Sequence, residues 1–137
     1  PSRVAPAGDD TTARVIQRFY DIDVFPDWWK LEPMTSPHAW ALACEVIQRN
    51  DPYTRGIVVL GLEAEIADLR ASFAEAARFN LVRGFAVGRS IFAAPARKWL
   101  SGEIGDAEAV EEMAGTYAEL CAAWDDARRE GQTRGKP

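Results

Sequence analysis

The chain has 137 residues, with 16 Lys plus Arg against 21 Asp plus Glu, a formal charge of −5 and a pI near 4.9. That length and an apolar share of 47% suit one domain of ordinary size with a core of its own. The acidic balance argues against nucleic acid or an anionic membrane as the main partner; no apolar run approaches the ~20 residues of a membrane span, and no signal-peptide pattern opens the chain.

Residues 1–11 mix Pro, Gly, Ala and Asp without periodicity and read as a linker or tail. The opening proline suggests a processed or trimmed piece. The body is expected over residues 12–129, and residues 130–137 (EGQTRGKP) read as a flexible terminus. Cys44 and Cys121 stand apart, without the spacing of a zinc site or a disulfide framework. They read as reduced, core-facing thiols on helices of a cytoplasmic protein.

In chain order, Val15, Ile16 and Phe19 predict a first helix over residues 12–20. A turn broken by Pro26 leads into Trp28-Trp29-Lys30-Leu31, a short strand ended by Pro33. Ser36 is a good helix N-cap with Pro37 at the first helical position, and Trp40, Ala43, Cys44 and Ile47 form that helix's apolar stripe up to Asn50. Gly56-Ile57-Val58-Val59-Leu60-Gly61 is the clearest strand, and its unbroken apolar run reads as buried on both faces. A helix over residues 64–79 turns Ile66, Leu69, Phe73 and Ala77 inward. Residues 82–87 (VRGFAV) make a third strand, followed by Gly88-Arg89-Ser90, a short helix over residues 90–94 and a helical turn begun by Pro95. Asp106 is expected to cap a long last helix whose stripe uses Val110, Met113, Tyr117, Leu120 and Trp124.

Strands separated by single amphipathic helices mean βα units and a parallel sheet. Right-handed crossovers would put those helices on one side. Gly84, Ala86 and Gly88 share one strand face, while Phe85 and Val87 take the other. A face of such small residues suits the crowded lumen of a closed barrel.

Lys30 is the most informative single residue. It sits mid-strand on the face it shares with Trp28 and Glu32, where burying an ammonium is costly unless it is paired or neutral. Desolvation lowers a lysine pKa, and the neutral amine can form a Schiff base with a carbonyl substrate. Glu32 could orient that amine, relay protons or neutralise it; a purely structural Lys30–Glu32 ion pair fits the same spacing. In the run VRGFAVGRS, a strand ending in glycine and opening into a helix offers backbone N–H groups and a positive dipole end to an anion. Gly88 permits close approach, and Arg89 can fork onto a phosphate, with Ser90 beside it. An ordinary βα turn reads the same way. Glu63 stands near a strand's C-terminal end but suits the start of the next helix. His38, the only histidine, is expected to be exposed after Pro37, so no triad or histidine-based metal cluster is available. Trp29, Trp40, Trp99 and Trp124 fit apolar stripes or outer strand faces, which leaves Trp28 as the exception. The carboxylates of residues 103–112 read as a solvated helix start.

The runs DWWKLEP, NDPYTRGIVVLGLE and VRGFAVGRSIF, in this order, resemble the C-terminal barrel fused to, or encoded with, 5-dehydro-2-deoxygluconokinase of myo-inositol catabolism. That barrel is similar in turn to class I, Schiff-base aldolases such as tagatose-bisphosphate aldolase. The resemblance spans roughly residues 15–128. It implies a (βα)8 barrel in which the three strands are the sixth, seventh and eighth. It also implies that Lys30 is the Schiff-base lysine of a K-x-E motif with Glu32 as its acid, and that Gly88 and Arg89 hold a substrate phosphate. Two departures stand out: Pro33 where many relatives carry glycine, and Leu60-Gly61-Leu62-Glu63 where many read LGRG.

The function expected on this resemblance is cleavage of 6-phospho-5-dehydro-2-deoxygluconate to dihydroxyacetone phosphate and malonate semialdehyde. It needs no metal or organic cofactor. The expected partners are the phosphorylated keto-sugar acid, a sugar kinase domain and the rest of the barrel, in an oligomer. The alternative is a non-catalytic scaffold or ligand-sensing domain attached to the kinase; no glycine-rich nucleotide loop supports a kinase activity in this chain itself. A whole barrel needs ~250 residues, so three βα units are expected to be a fragment. It would be stable with its missing half, through another chain or by rearranged strand pairing.

Overall fold

A computed structural model describes residues 8–61 and 64–134. The chain runs α1 (Thr11–Asp21), β1 (Trp28–Leu31), α2 (Pro37–Asn50), β2 (Gly56–Leu60), α3 (Ile66–Ala76), β3 (Val82–Ala86), α4 (Arg89–Leu100) and α5 (Asp106–Arg134). It is an α/β arrangement of successive βα units, as the alternating pattern predicts. Ser36 starts α2 as expected: its Oγ accepts the Ala39 N–H at 3.3 Å, and Pro37 occupies the first turn, where a missing N–H is tolerated. Ser36 also donates to Asp9 Oδ2 at 2.8 Å, which ties the chain ahead of α1 to the start of α2.

Among the described residues the three strands form one parallel sheet in the order β1-β2-β3. Trp29, Leu31, Ile57, Val59 and Val82 are buried on one face, together with Trp40, Ala43, Cys44 and Ile47 of α2, Leu69, Phe73, Ala76 and Ala77 from α3 and its end, and Leu120, Ala123, Trp124 and Ala127 of α5. Phe85 belongs to this face. Its ring stacks on Phe73 at 5.1 Å and meets Tyr117 edge-on at 6.2 Å. At the other end of the sheet, Trp29 Nε1 donates to Tyr20 Oη at 2.9 Å, so the buried indole N–H has its partner.

Side chains alternate along a strand, so Trp28, Lys30, Val58, Leu60, Gly84 and Ala86 share the opposite face. That face carries no helix among the described residues. Trp28 is 45% exposed, and Val58 and Leu60 are half-buried. The expectation that β2 is covered on both sides therefore holds for one side only. The outer edges of β1 and β3 pair with no strand among the described residues.

A bulge preserves this division of faces. Ile57 pairs with Val82, but Val58 pairs with Gly84, so Arg83 is an extra residue in β3. With regular pairing, Phe85 would turn to the open face. Arg83 folds over Gly56, whose φ of +133° and close neighbours exclude any Cβ: Leu81 O would lie 2.6 Å from it and Arg83 Cγ 2.7 Å.

Several expectations change in the structure. Lys30 lies on the open face and is exposed rather than buried, because nothing among the described residues covers that side. In α1, Ala13, Ile16 and Tyr20 are buried, while Val15 and Phe19 stand at the rim. The short helix and the Pro95 turn are one helix, α4, with Pro95 inside it and buried. Asp106 begins α5 and, instead of capping it, accepts the Trp99 Nε1–H at 2.7 Å; Glu108 Oε2 accepts the Gly105 N–H at 3.1 Å. Trp99 is therefore a half-exposed latch between helices, not a core residue. Val110 and Tyr117 are largely exposed, because the first turns of α5 pack on α4 and leave the expected stripe partly outside. Residues 130–134 continue α5 instead of fraying. Cys44 is buried and Cys121 partly so, both unbridged, and His38 is exposed as expected. Among the described residues no helix is long and apolar enough to cross a membrane.

Candidate functional site

Parallel strands all point their C-terminal ends the same way, and the loops that follow gather at one edge of the sheet. The described structure has an open concavity of about 350 Å³ at this edge. Its floor is built by strand ends: Lys30 from β1, Leu60 from β2, then Gly61, and Ala86 from β3. Its far wall is Gly88, Arg89, Ser90 and Phe92, the entry to α4.

Lys30 arrives there through register. It sits beside Val58, which sits beside Gly84, so Lys30 and β3 are separated by two strand spacings, about 10 Å. A flexible four-carbon stem carries its amine across part of that gap. Gly84 and Ala86 contribute almost no bulk to the floor, and a Cβ on Gly84 would meet nothing within 4 Å. The wall follows from the helix start. Gly88 O accepts the N–H groups of Ile91 and Phe92 at 2.8 and 3.1 Å, and the Phe92 ring lies 3.3 Å from where a Gly88 Cβ would stand. Gly88 therefore keeps the approach to the first turn of α4 open.

The two charged residues that line the concavity among the described residues, Lys30 and Arg89, are both cationic. They favour an anionic ligand, helped by the dipole end of α4. Ser90 adds a distinct feature: its Oγ is shut off from solvent and has no hydrogen-bond partner among the described residues. A buried hydroxyl normally has one. A lysine thus shares one concavity with a helix N-terminus that carries an arginine and, among the described residues, an unsatisfied hydroxyl.

Of the residues singled out in the sequence, Lys30, Gly88, Arg89 and Ser90 come together here. Glu32 does not line the concavity. It is exposed just beyond the end of β1 and makes no ion pair with Lys30 among the described residues, which removes the structural-pair reading of the spacing. Glu63 lies outside the described residues, as does Leu62. Sequence reasoning passed over Gly61 and Phe92 as parts of the site. A glycine directly after a strand's last residue, and an aromatic four residues into the helix after Gly88, are the signals that mark them.

Two other features resemble sites less. A crevice of about 350 Å³ between α2 and the turn ahead of β3 includes Cys44, but burial pushes that thiol up to about 11, far from the thiolate range that reactive cysteines need. Among the described residues no group of three or more His, Cys, Asp or Glu is placed to hold a metal ion. No curated protein and no solved structure gives a significant match to the chain. Over residues 1–128, nearly its whole length, it matches the model of a bacterial family described as "Uncharacterized protein conserved in bacteria (DUF2090)", and the chain belongs to that family.

Proposed function

We propose that this chain is the C-terminal part of a class I aldolase-like (βα)8 barrel of inositol catabolism, linked to 5-dehydro-2-deoxygluconokinase and acting on 6-phospho-5-dehydro-2-deoxygluconate. One observation carries the reading: Lys30 and the Gly88-Arg89-Ser90 turn line a single concavity at the C-terminal edge of a parallel sheet, where (βα)8 enzymes keep their catalytic groups and phosphate sites. The open sheet face and the unpaired edges of β1 and β3 support a barrel completed by further strands, from the same protein or a partner subunit. Parallel sheets are otherwise covered on both faces.

In the proposed reaction the phosphate sits on the first turn of α4 and Arg89, which brings the adjacent ketone toward Lys30. The Lys30 amine, in its neutral form, adds to the C5 carbonyl, and loss of water leaves a protonated imine. The C3 hydroxyl gives up its proton, the C3–C4 bond breaks, and its electron pair moves into a C4–C5 enamine with the iminium nitrogen as sink. Malonate semialdehyde leaves with C1 to C3. Protonation at C4 and hydrolysis of the imine release dihydroxyacetone phosphate and restore the amine. Glu32, just beyond the end of β1, is assigned to proton transfer or to orienting Lys30 on the strength of the K-x-E resemblance. Completion of the barrel would bury Lys30 and exclude water from the imine.

Borohydride reduction of the intact natural protein in the presence of dihydroxyacetone phosphate tests this. The expected product is a stable mass increment on the peptide carrying Lys30, lost in Lys30→Met with the fold retained. An unmodified Lys30, with pathway flux unaffected by Lys30→Met, would favour the non-catalytic scaffold instead.

A further inference from the structure

Gly61 is the first residue after β2, and its backbone lies directly against the entry to α4. A Cβ built on it would stand 2.8 Å from Val87 Cγ1, 3.3 Å from Val87 Cγ2 and 3.2 Å from Ser90 Oγ. A real Cβ essentially never comes as close as 2.8 Å, and the contacts at 3.2 and 3.3 Å are tight, so the two Val87 methyls crowd the position together. Valine is stiff at χ1, so its methyls resist being turned aside. The Gly61 backbone is itself fixed, since its carbonyl accepts the Ala64 N–H at 2.8 Å. Val87 and Ser90 bracket Gly88 and Arg89 in the chain. A side chain at 61 therefore presses on side chains at both ends of that turn.

We infer that Gly61 is a positioning residue for the anion end of this site. Its bare backbone sets how far the Gly88-Arg89-Ser90 turn stands from Lys30. The inference rests on the proposed function in taking that turn as the phosphate cradle. Lys30 is on β1, the far strand of the sheet, so a shift of α4 moves the cradle and leaves the amine where it is. A ligand that must reach both ends senses the change; one that needs only the amine does not. This close approach also gives a reason for glycine at 61.

The test uses the intact natural protein and four forms: wild type, Gly61→Ala, Val87→Ala, and the double variant, in which loss of both Val87 γ-methyls frees the space the new methyl needs. Affinity for inorganic phosphate is measured by calorimetry. Borohydride capture at Lys30 is then titrated with dihydroxyacetone phosphate and with dihydroxyacetone. Gly61→Ala is expected to weaken phosphate binding and to raise the dihydroxyacetone phosphate concentration for half-capture by roughly tenfold to a hundredfold, the usual consequence of misplacing a binding group by about 1 Å. Capture of dihydroxyacetone stays at the wild-type level, and the double variant recovers most of the phosphate affinity. Unchanged phosphate affinity in Gly61→Ala overturns the inference. So does equal loss with both ketones, failure of Val87→Ala to rescue, or absence of phosphate binding in the wild type. A phosphate pattern as expected with no Lys30 adduct in any form upholds the positioning role and refutes the aldolase reading.

Discussion

The hydroxyls of Ser90 and Ser72 allow the anion site to be tested by stability alone. Both oxygens are closed off from solvent and lack a hydrogen-bond partner among the described residues. Ser90 lines the concavity at the start of α4, whereas Ser72, 1% exposed, lies inside α3. A buried hydroxyl left unpaired costs about 1–3 kcal/mol, so alanine at either place should stabilise the ligand-free protein by that order. Ser72→Ala gains a further ~0.4 kcal/mol from helix propensity. At this chain length 1 kcal/mol moves the melting temperature by about 3–5 °C. Phosphate separates the two variants. If the Ser90 hydroxyl turns out of its enclosed position to donate to a bound anion, its loss removes a hydrogen bond to a charged group worth about 1.5–3 kcal/mol, and the affinity falls at least roughly tenfold. At a hundred times the wild-type dissociation constant, phosphate stabilises the wild type by about 2.7 kcal/mol but Ser90→Ala by about 1.4 kcal/mol or less. Melting curves with and without phosphate on the three proteins are the assay. The expected pattern is a higher ligand-free melting point for both variants and a reduced phosphate increment for Ser90→Ala only. A lower melting point for Ser90→Ala without phosphate, or a phosphate increment equal to wild type, refutes the reasoning.

Gly56→Ala should destabilise by about 2 kcal/mol or more in chemical denaturation, since φ of +133° and the Leu81 carbonyl both oppose a Cβ; a variant within 0.5 kcal/mol of wild type, by the general standard for neutral surface changes, contradicts the assigned start of β2. Phe73 is fully buried between the Phe85 and Trp124 rings, so Phe73→Ala should cost about 3–5 kcal/mol, with an unchanged denaturation midpoint as the refuting result. The buried Cys44 thiol ionises near 11 in the folded chain against its ordinary 9.0. The native state therefore holds a proton that the unfolded state has released, and stability falls as pH rises from about 9 to 11. The loss approaches roughly 3 kcal/mol in full. Cys44→Ala should flatten this alkaline slope, and an identical slope in the variant refutes the assignment. Native-state alkylation of Cys44 below pH 9 should run about a hundredfold slower than that of an unperturbed thiol.

Much of the fold was legible because the signals were local. The stripe Trp40, Ala43, Cys44 and Ile47 is buried throughout, since a 3.6-residue period leaves one face for the sheet. The Ser36-Pro37 start of α2 and the alternation that sends Phe85 inward while Gly84 and Ala86 face out were equally local. What failed depended on distant contacts. Residues 130–134 look like a frayed tail by composition, yet the end of α5 is held at the end of α3: Arg128 Nη1 donates to Ala77 O at 3.4 Å, and Gly131 packs on the same carbonyl. Pro95 suggested a break, but α4 carries it inside, because its packed environment outweighs one lost backbone hydrogen bond. At the site, alternation put Lys30 on the strand face of Trp28 correctly, but its exposure was not legible, because it depends on what covers that face. The same rule failed for Glu32, because it holds only while the strand lasts and β1 ends at Leu31.

The bulge at Arg83 bears on how this sequence can change length. β3 holds one residue too many between Val82 and Phe85, so removing Phe85 or Ala86 would invert everything that follows, but one residue can be lost at 83 or 84 without doing so. Arg83 is the one now left unpaired. Without it, Val82 would still pair with Ile57 and Gly84 with Val58, the register they already hold. Among natural variants of this chain, single-residue gaps in β3 should therefore fall at position 83 or 84, and Gly56 should stay glycine beside such a gap, since its φ of +133° and the Leu81 carbonyl oppose a Cβ with or without Arg83.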